Sequence, residues 1–205
     1  MIKNVVFDIG NVLVSFSWRE CMRDCGVKEE HIERVANATV RSPYWNELDR
    51  GEKPEDEILE QFVKNDPELE DEIRVFFAHV TDSMPPFDYS KKWLASLRQR
   101  GYKVYLLSNF SNYNFNVNVP RYTFLSETDG KIISYIYKTV KPERKIYEIL
   151  LDKYALNAEE CVFIDDRDDN IAAAKALGFN GIVFESYEDA NEKLQALLKE
   201  KGVFG

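Results

Sequence analysis

Two adjacent carboxylates, Asp165-Asp166, follow the apolar run Val162-Phe163-Ile164, and another acid, Asp8, follows Val5-Val6-Phe7. A third apolar run, Val104-Tyr105-Leu106-Leu107, ends in Ser108-Asn109. Each ending alone is ordinary, because polar residues terminate buried strands. Together they carry more weight, since an open parallel sheet binds its ligands at the carboxyl ends of its strands. If the strands are neighbours, Asp8, Asp165 and Asp166 face one crevice. Two unit charges about 4 Å apart repel by roughly 4 kcal/mol at an effective dielectric of about 20. Such a cluster either keeps a proton or binds a cation. Oxygen-only ligation suits Mg2+, which retains waters and takes a substrate phosphate oxygen. Helix capping competes for these acids, because Arg167-Asp168-Asp169-Asn170 precedes an Ala-rich stretch. Capping is assigned to Asp168 or Asp169, and metal binding to Asp165 and Asp166.

The elements that must position these groups are legible in outline. Residues 2–7 form a short, β-branched apolar run that reads as a buried strand. From about residue 18 to residue 80 the pattern turns helical, with amphipathic windows at 28–38, 54–64 and 67–80. Pro54 and Pro67 suit first helical turns. Met84-Pro85-Pro86 punctuates the chain, and strands and helices then alternate. Helices are expected at 89–100, at 143–154 (opened by Pro142), at 170–177 (closed by Gly178) and at 187–199. Strands are expected at 102–107, 161–164 and 181–184. The expected fold class is α/β, with an open, mostly parallel Rossmann-like sheet covered on both faces. Its core comprises 1–15 and 87–205, interrupted by an all-helical cap at 16–86.

The bulk numbers fit one such core. The chain has 205 residues, 44% hydrophobic and 31% charged, which suits a globular domain with a modest insertion. A formal net charge of −9 argues against nucleic acid or an anionic membrane as partner. No signal peptide is expected, and no run approaches the ~20 apolar residues of a membrane span. Cys21, Cys25 and Cys161 form an odd set without zinc-type partners, so buried or free thiols in a reducing cytoplasm are expected. His31 and His79 lie in helical windows and receive no chemical role.

The order Asp8-Ile9-Gly10-Asn11-Val12-Leu13, then Leu107-Ser108-Asn109, then Lys141-Pro142, then Phe163-Ile164-Asp165-Asp166 with Asn170 beyond, resembles the haloacid dehalogenase superfamily. The resemblance spans essentially the whole chain, with the helical insert in the place of that superfamily's C1 cap. The opening FDIGNVLV and Glu47-Leu48-Asp49-Arg50-Gly51 resemble the bacterial subgroup that includes α-D-glucose-1-phosphate phosphatases. The resemblance implies that Asp8 is a nucleophile forming an aspartyl-phosphate. It implies Mg2+ held by Asp8, the Gly10 carbonyl and Asp166, with Asp165 a ligand directly or through water. Ser108 would donate to a phosphate oxygen with help from the Asn109 backbone, and Lys141 would set its ammonium against phosphate and Asp8. Pro142 would aim Lys141 inward by fixing an extended backbone. Gly10, Asn11, Asn109 and Trp45 are the expected substrate contacts, and the substrate a small phosphorylated metabolite. Asn170 is either a first-turn helix residue or an orienter of the metal-binding Asp.

The sequence departs from the superfamily at position 10. Most of its phosphatases carry an acid there, which protonates the leaving oxygen and later activates water. Gly10 removes that help, typically worth about 10²–10⁴-fold. One reading keeps a phosphatase for better leaving groups, such as a sugar 1-phosphate. A second is a metal-independent dehalogenase, whose halide needs no proton but which gives the paired acids no purpose. A third is a catalytically silent phosphate-binding or interaction protein. The cap is expected to close over the site. Tyr44-Trp45-Asn46-Glu47 is the candidate substrate-facing cluster, unless Trp45 only packs the cap's own core. Residues 112–119, with interleaved Asn and aromatic residues, either line the entrance or form an irregular loop.

Overall fold

The computed structural model describes residues 1–200; the last five residues of the expected core, 201–205, lie outside them. Five strands form one sheet: β1 (Asn4–Phe7), β2 (Lys103–Ser108), β3 (Gly130–Ile133), β4 (Cys161–Asp165) and β5 (Asn180–Val183). All neighbours are parallel, in the order β3-β2-β1-β4-β5. The order reverses at β1, so a crevice opens past its carboxyl end. Phe7 pairs with Leu106 on one side and Ile164 on the other. That register brings Asp8, Ser108 and Asp165 out at nearly one level.

No strand interrupts the stretch between β1 and residue 83 among the described residues. It holds α1 (Trp18–Asp24), α2 (Ile32–Ala38), α3 (Pro43–Arg50), α4 (Glu55–Asn65) and α5 (Glu70–His79). The chain enters and leaves this stretch along paired backbone. Ser15 N–H donates to Pro85 O at 2.9 Å, Ser17 N–H to Ser83 O at 3.0 Å, and Phe87 N–H to Leu13 O at 3.0 Å. The sequence reading did not separate α3. Its signals are local: Ser42 caps it by accepting Tyr44 N–H, Pro43 occupies the first turn, and Gly51 ends it at φ 69°.

The remaining helices are α6 (Ser90–Gln99), α7 (Asn112–Asn118), α8 (Ser134–Tyr137), α9 (Arg144–Tyr154), α10 (Asp168–Lys175) and α11 (Tyr187–Glu200). Side chains alternate across the sheet with period two. Val5, Phe7, Val104, Leu106, Val162 and Ile164 share one core cluster with Trp93, Leu94 and Leu97 of α6 and Ala190 and Leu194 of α11. Val6, Tyr105, Leu107 and Phe163 share another with Ile146, Tyr147 and Leu150 of α9 and Ala174 of α10. The sheet is therefore covered on both faces, as an α/β architecture requires.

Three local readings change. The edge strand β3 offers only two buried apolar residues, Ile132 and Ile133, too short a run to stand out from a loop. Residues 112–118 form a helix rather than an irregular loop, with Ser111 accepting Asn114 N–H at 3.2 Å. Pro142 does not open α9. The helix starts at Arg144 behind Glu143, and the Lys141–Pro142 peptide is cis.

Trp93 is 2% exposed and sets its ring edge-on to Phe7 at 4.8 Å and to Tyr187 at 5.2 Å. Replacing this side chain opens a cavity beneath the strand that carries Asp8. Trp93→Ala is expected to lower unfolding stability by about 3–5 kcal/mol, read as a lower urea midpoint at unchanged slope.

Candidate active site

Asp8 leaves the sheet on the first residue past β1, its N–H donating to Ile164 O at 2.9 Å. Its Oδ1 accepts three hydrogen bonds: from Ile9 N–H at 2.7 Å, from Ser108 Oγ at 2.7 Å and from Lys141 Nζ at 2.8 Å. Among the described residues no protein donor reaches Oδ2. One oxygen is thus anchored and the other is free to react.

Lys141 stands between two aspartates. Its Nζ donates to Asp165 Oδ2 at 2.6 Å as well as to Asp8, and the residue is 3% exposed. Burial alone would lower the ammonium, but Asp165 and Asp8 outweigh it and hold it above its ordinary value. The Lys141 backbone is clamped by Asn109, whose amide accepts Lys141 N–H at 2.8 Å and donates to Lys141 O at 3.0 Å. Asp165 is wholly buried. Its oxygens accept Lys141 Nζ, Arg167 N–H at 2.9 Å and the Asn170 amide at 2.9 and 3.1 Å. Asn170 lies in the first turn of α10 and also orients this Asp, so both alternatives for it hold. Neither Asp168 nor Asp169 caps α10 as expected: both lie inside its first turn, the cap position is Arg167, and Asp169 instead pairs with the Arg167 guanidinium.

Asp166 accepts the Asn11 amide at 2.9 Å, and Asn11 reaches it from a left-handed turn at φ 54°. Carboxylate oxygens of Asp8, Asp165 and Asp166, one from each, lie within 4.8 Å of one another. Burial pushes Asp8 up to about 7; Lys141 opposes the shift, and Asp165 and Asp166 reinforce it. Asp166 is also raised, chiefly by burial, with Asp165 adding to it and Asn11 opposing. A cluster held this close, with Asp8 and Asp166 forced toward the neutral form, is one that a divalent cation relieves. The donors are all oxygens and fit Mg2+. Asn170 Oδ1 is buried without a partner beside this cluster.

A cavity of about 210 Å³ opens over Asp8. Gly10, Asn11, Asn109, Lys141 and Asp166 line it from the sheet side, and Phe16, Val40, Trp45, Asn46 and Asp49 from the helical insert. Ser108 and Asp165 are not in its wall; they hold the groups that are. The Ser108 hydroxyl, expected on a phosphate, here donates to Asp8. Trp45 lines the cavity and also packs between Phe16 and Phe62, at 5.7 and 6.1 Å, so neither alternative for it is exclusive. Of the expected cluster in the insert, only Trp45 and Asn46 line the cavity.

The sequence reading passed over Asp49 as a site residue. It sits in the charged-looking run Glu47-Leu48-Asp49-Arg50, yet it is 7% exposed and lines the cavity. Burial, with Asp8 adding and Lys141 opposing, pushes its carboxyl up to about 8. The end of α3 that carries it is fastened to the sheet side. Ser134 Oγ donates to Asp49 O at 2.6 Å, Arg50 pairs with Glu143 at 2.5 Å, and Lys138 Nζ donates to Gly51 O.

These shifts carry a sign for stability. Asp8 binds its proton more tightly folded (about 7) than at its ordinary value of 3.8. The stability this confers is complete below the ordinary value and is lost as pH rises through the folded one. Asp8→Asn cannot ionise. In metal-free buffer near pH 8 it is expected to melt above the native chain by roughly 2–4 °C, and the gap should narrow as pH falls below 7 and close only below about pH 4. Added Mg2+ should raise the melting temperature of the native chain more than that of the variant, in a scanning-fluorimetry titration.

Comparison with known proteins gives a consistent picture. A family model described as haloacid dehalogenase-like hydrolase matches residues 2–178. A sesquiterpene phosphatase of Aspergillus oryzae is 27% identical over 88% of this chain and 88% of its own. A D-ribitol-5-phosphate phosphatase of Bacteroides thetaiotaomicron is 26% identical over 97% of this chain and 99% of its own. A solved enzyme of this superfamily from Bacteroides thetaiotaomicron, in complex with magnesium and inorganic phosphate, superposes at TM-score 0.71. It shares 22% identity and covers 92% of this chain and 98% of its own, and it shows the fold. No helix among the described residues is long and apolar enough to cross a membrane.

Proposed function

The chain belongs to the haloacid dehalogenase-like hydrolase family and is an enzyme of its phosphatase type, and we propose that it hydrolyses small phosphate monoesters through an aspartyl-phosphate on Asp8. The observation that carries this reading is the arrangement around one carboxylate: Asp8 Oδ1 held by three donors, with Asp165 and Asp166 oxygens within 4.8 Å.

In the proposed reaction Asp8 Oδ2 attacks phosphorus while Ile9 N–H, Ser108 and Lys141 hold Oδ1 still, so the nucleophile meets its target without reorganising. Asp8, Asp166 and the Gly10 carbonyl would hold Mg2+, with Asp165 acting through water because its oxygens already accept Lys141, Arg167 N–H and Asn170. Bound there, Mg2+ would offset phosphate charge. Lys141 keeps its proton, being held above its ordinary value, and so serves as a fixed positive charge. The helical insert, residues 16–86, acts as a lid that keeps bulk water from the phosphoryl group and opens to release product.

The substrate we propose is a sugar phosphate, with a hexose 1-phosphate as the first candidate. The cavity, about 210 Å³, is below the ~300–1,000 Å³ of drug-sized pockets and suits a small metabolite. Asn46, Asn109 and Asn114 in its wall offer amides to hydroxyls, and Trp45 offers a ring face. The relative that acts on D-ribitol 5-phosphate supports a polyol or sugar body, and the FDIGNVLV opening supports the glucose-1-phosphate subgroup. Three free cysteines fit a cytoplasmic setting.

A panel of hexose 1-phosphates, pentitol phosphates and a prenyl phosphate tests this, assayed for released phosphate. Turnover is expected with Mg2+, lost in EDTA and restored by Mg2+. Asp8→Asn should lower kcat by about 10⁴-fold or more on every substrate. Full activity in EDTA, or in Asp8→Asn, would overturn the reading.

A further inference from the structure

A nucleophile, a cation cradle and a fixed ammonium still leave the departing oxygen without a proton. Position 10 cannot supply it, having no side chain, although a Cβ built on Gly10 meets nothing within 4 Å. The space where an acid could stand is open.

We propose that Asp49, delivered by the helical insert, is the general acid and base of this reaction. The inference rests on the phosphatase reading above and completes it. Among the cavity-lining groups, Asp8, Asp166 and Lys141 already have partners and roles, and Arg167 is paired with Asp169. Among the described residues Asp49 is the remaining carboxyl in that wall. Its position is built: the Ser134 hydroxyl donates to its carbonyl, and the adjacent Arg50–Glu143 pair fastens α3 to the segment that follows Lys141.

The protonation state is the one the first step needs. Burial and the facing Asp8, with Glu55 of α4, favour the neutral carboxyl against Lys141 and the Ser111 N–H, and the balance lies at about 8. As Asp8 bonds to phosphorus and the ester P–O bond breaks, the leaving oxygen takes the Asp49 proton and departs as a neutral alcohol. Asp49, now a carboxylate, takes a proton from the water whose oxygen attacks the aspartyl-phosphate. The P–O bond to Asp8 breaks, phosphate leaves, and both aspartates return to their starting states. One water is consumed for each alcohol and phosphate released. An acid on the insert also couples chemistry to closure, because the proton donor arrives only when α3 is seated.

Leaving-group dependence separates this role from a structural one. The full chain with Mg2+ is assayed on 4-nitrophenyl phosphate, whose leaving group departs without a proton, and on the best alkyl or sugar phosphate of the panel. Asp49→Asn is close in shape to the protonated acid. It should lose about 10²–10⁴-fold in kcat on the alkyl ester and less than about tenfold on the aryl ester. The fall of wild-type kcat on the alkyl ester as Asp49 ionises at alkaline pH should be absent in the variant. Gly10→Asp added to Asp49→Asn should recover at least about tenfold on the alkyl ester. Equal losses on both esters, or no loss, would overturn the proposal. Asp49→Glu, which keeps the carboxyl but displaces it, gives the same ester comparison if Asp49→Asn fails to fold. Asp8→Asn silences both esters if the phosphatase reading holds. A wild-type chain that turns over neither ester would overturn that reading, and this inference with it.

Discussion

The Lys141 ammonium, buried between Asp8 at 2.8 Å and Asp165 at 2.6 Å, is the contact that the rest of the site is arranged to tolerate. Three carboxylates gathered past the ends of two neighbouring strands repel one another, and one ammonium neutralises only part of that charge. Removing Lys141 would leave buried carboxylates uncompensated, a loss that typically costs about 3–5 kcal/mol, whereas neutralising Asp8 leaves Lys141 paired with Asp165. The surrounding hydrogen bonds follow from this. Asn109 fixes the Lys141 backbone, Asn170 and Arg167 N–H satisfy Asp165, and Asn11 steadies Asp166. The remaining negative charge is what the proposed Mg2+ would offset.

The sheet makes this arrangement possible by direction and register. Parallel strands all finish on one edge, and the strand order reverses at β1, where an open parallel sheet forms its crevice. Because Phe7 aligns with both Leu106 and Ile164, residues distant in sequence leave the sheet side by side. The backbone pays little conformational penalty for that convergence, since Asp8, Ser108, Asp165 and Asp166 are each the terminal or next residue of a rigid strand, while Lys141 arrives from the segment between α8 and α9. Ser108 and Asp165, which do not line the cavity, are the supports for those that do.

The helical insert adds what the sheet edge lacks. Its α3 end is tied down through the Arg50–Glu143 pair, the Ser134 hydroxyl and Lys138, all within a few residues of Lys141. Arg50 lowers Glu143 to about 2, so that pair is charged at any physiological pH. The adjacent Asp49 is pushed the opposite way, toward the neutral acid, because burial and the charge of Asp8 outweigh the opposing Lys141 ammonium. Two acids near one another are thus held in opposite protonation states by their surroundings.

What the sequence determined by itself was set by local and periodic signals. Apolar runs ending in Asp8, Ser108 and Asp165-Asp166 announced parallel strands with a shared rim, and amphipathic windows before Met84 announced a helical insertion. The short edge strand β3 and the helix at Asn112–Asn118 escaped, because two buried isoleucines and an Asn-rich turn of helix carry little periodic signal. Tertiary structure alone decided which polar groups face inward. Asp49 looks like a solvent-side residue of a charged run, and only the docking of α3 onto the sheet side buries it. The protonation of Asp8 and Asp49 is likewise set by burial and by charges distant in the chain, which no spacing along the sequence encodes.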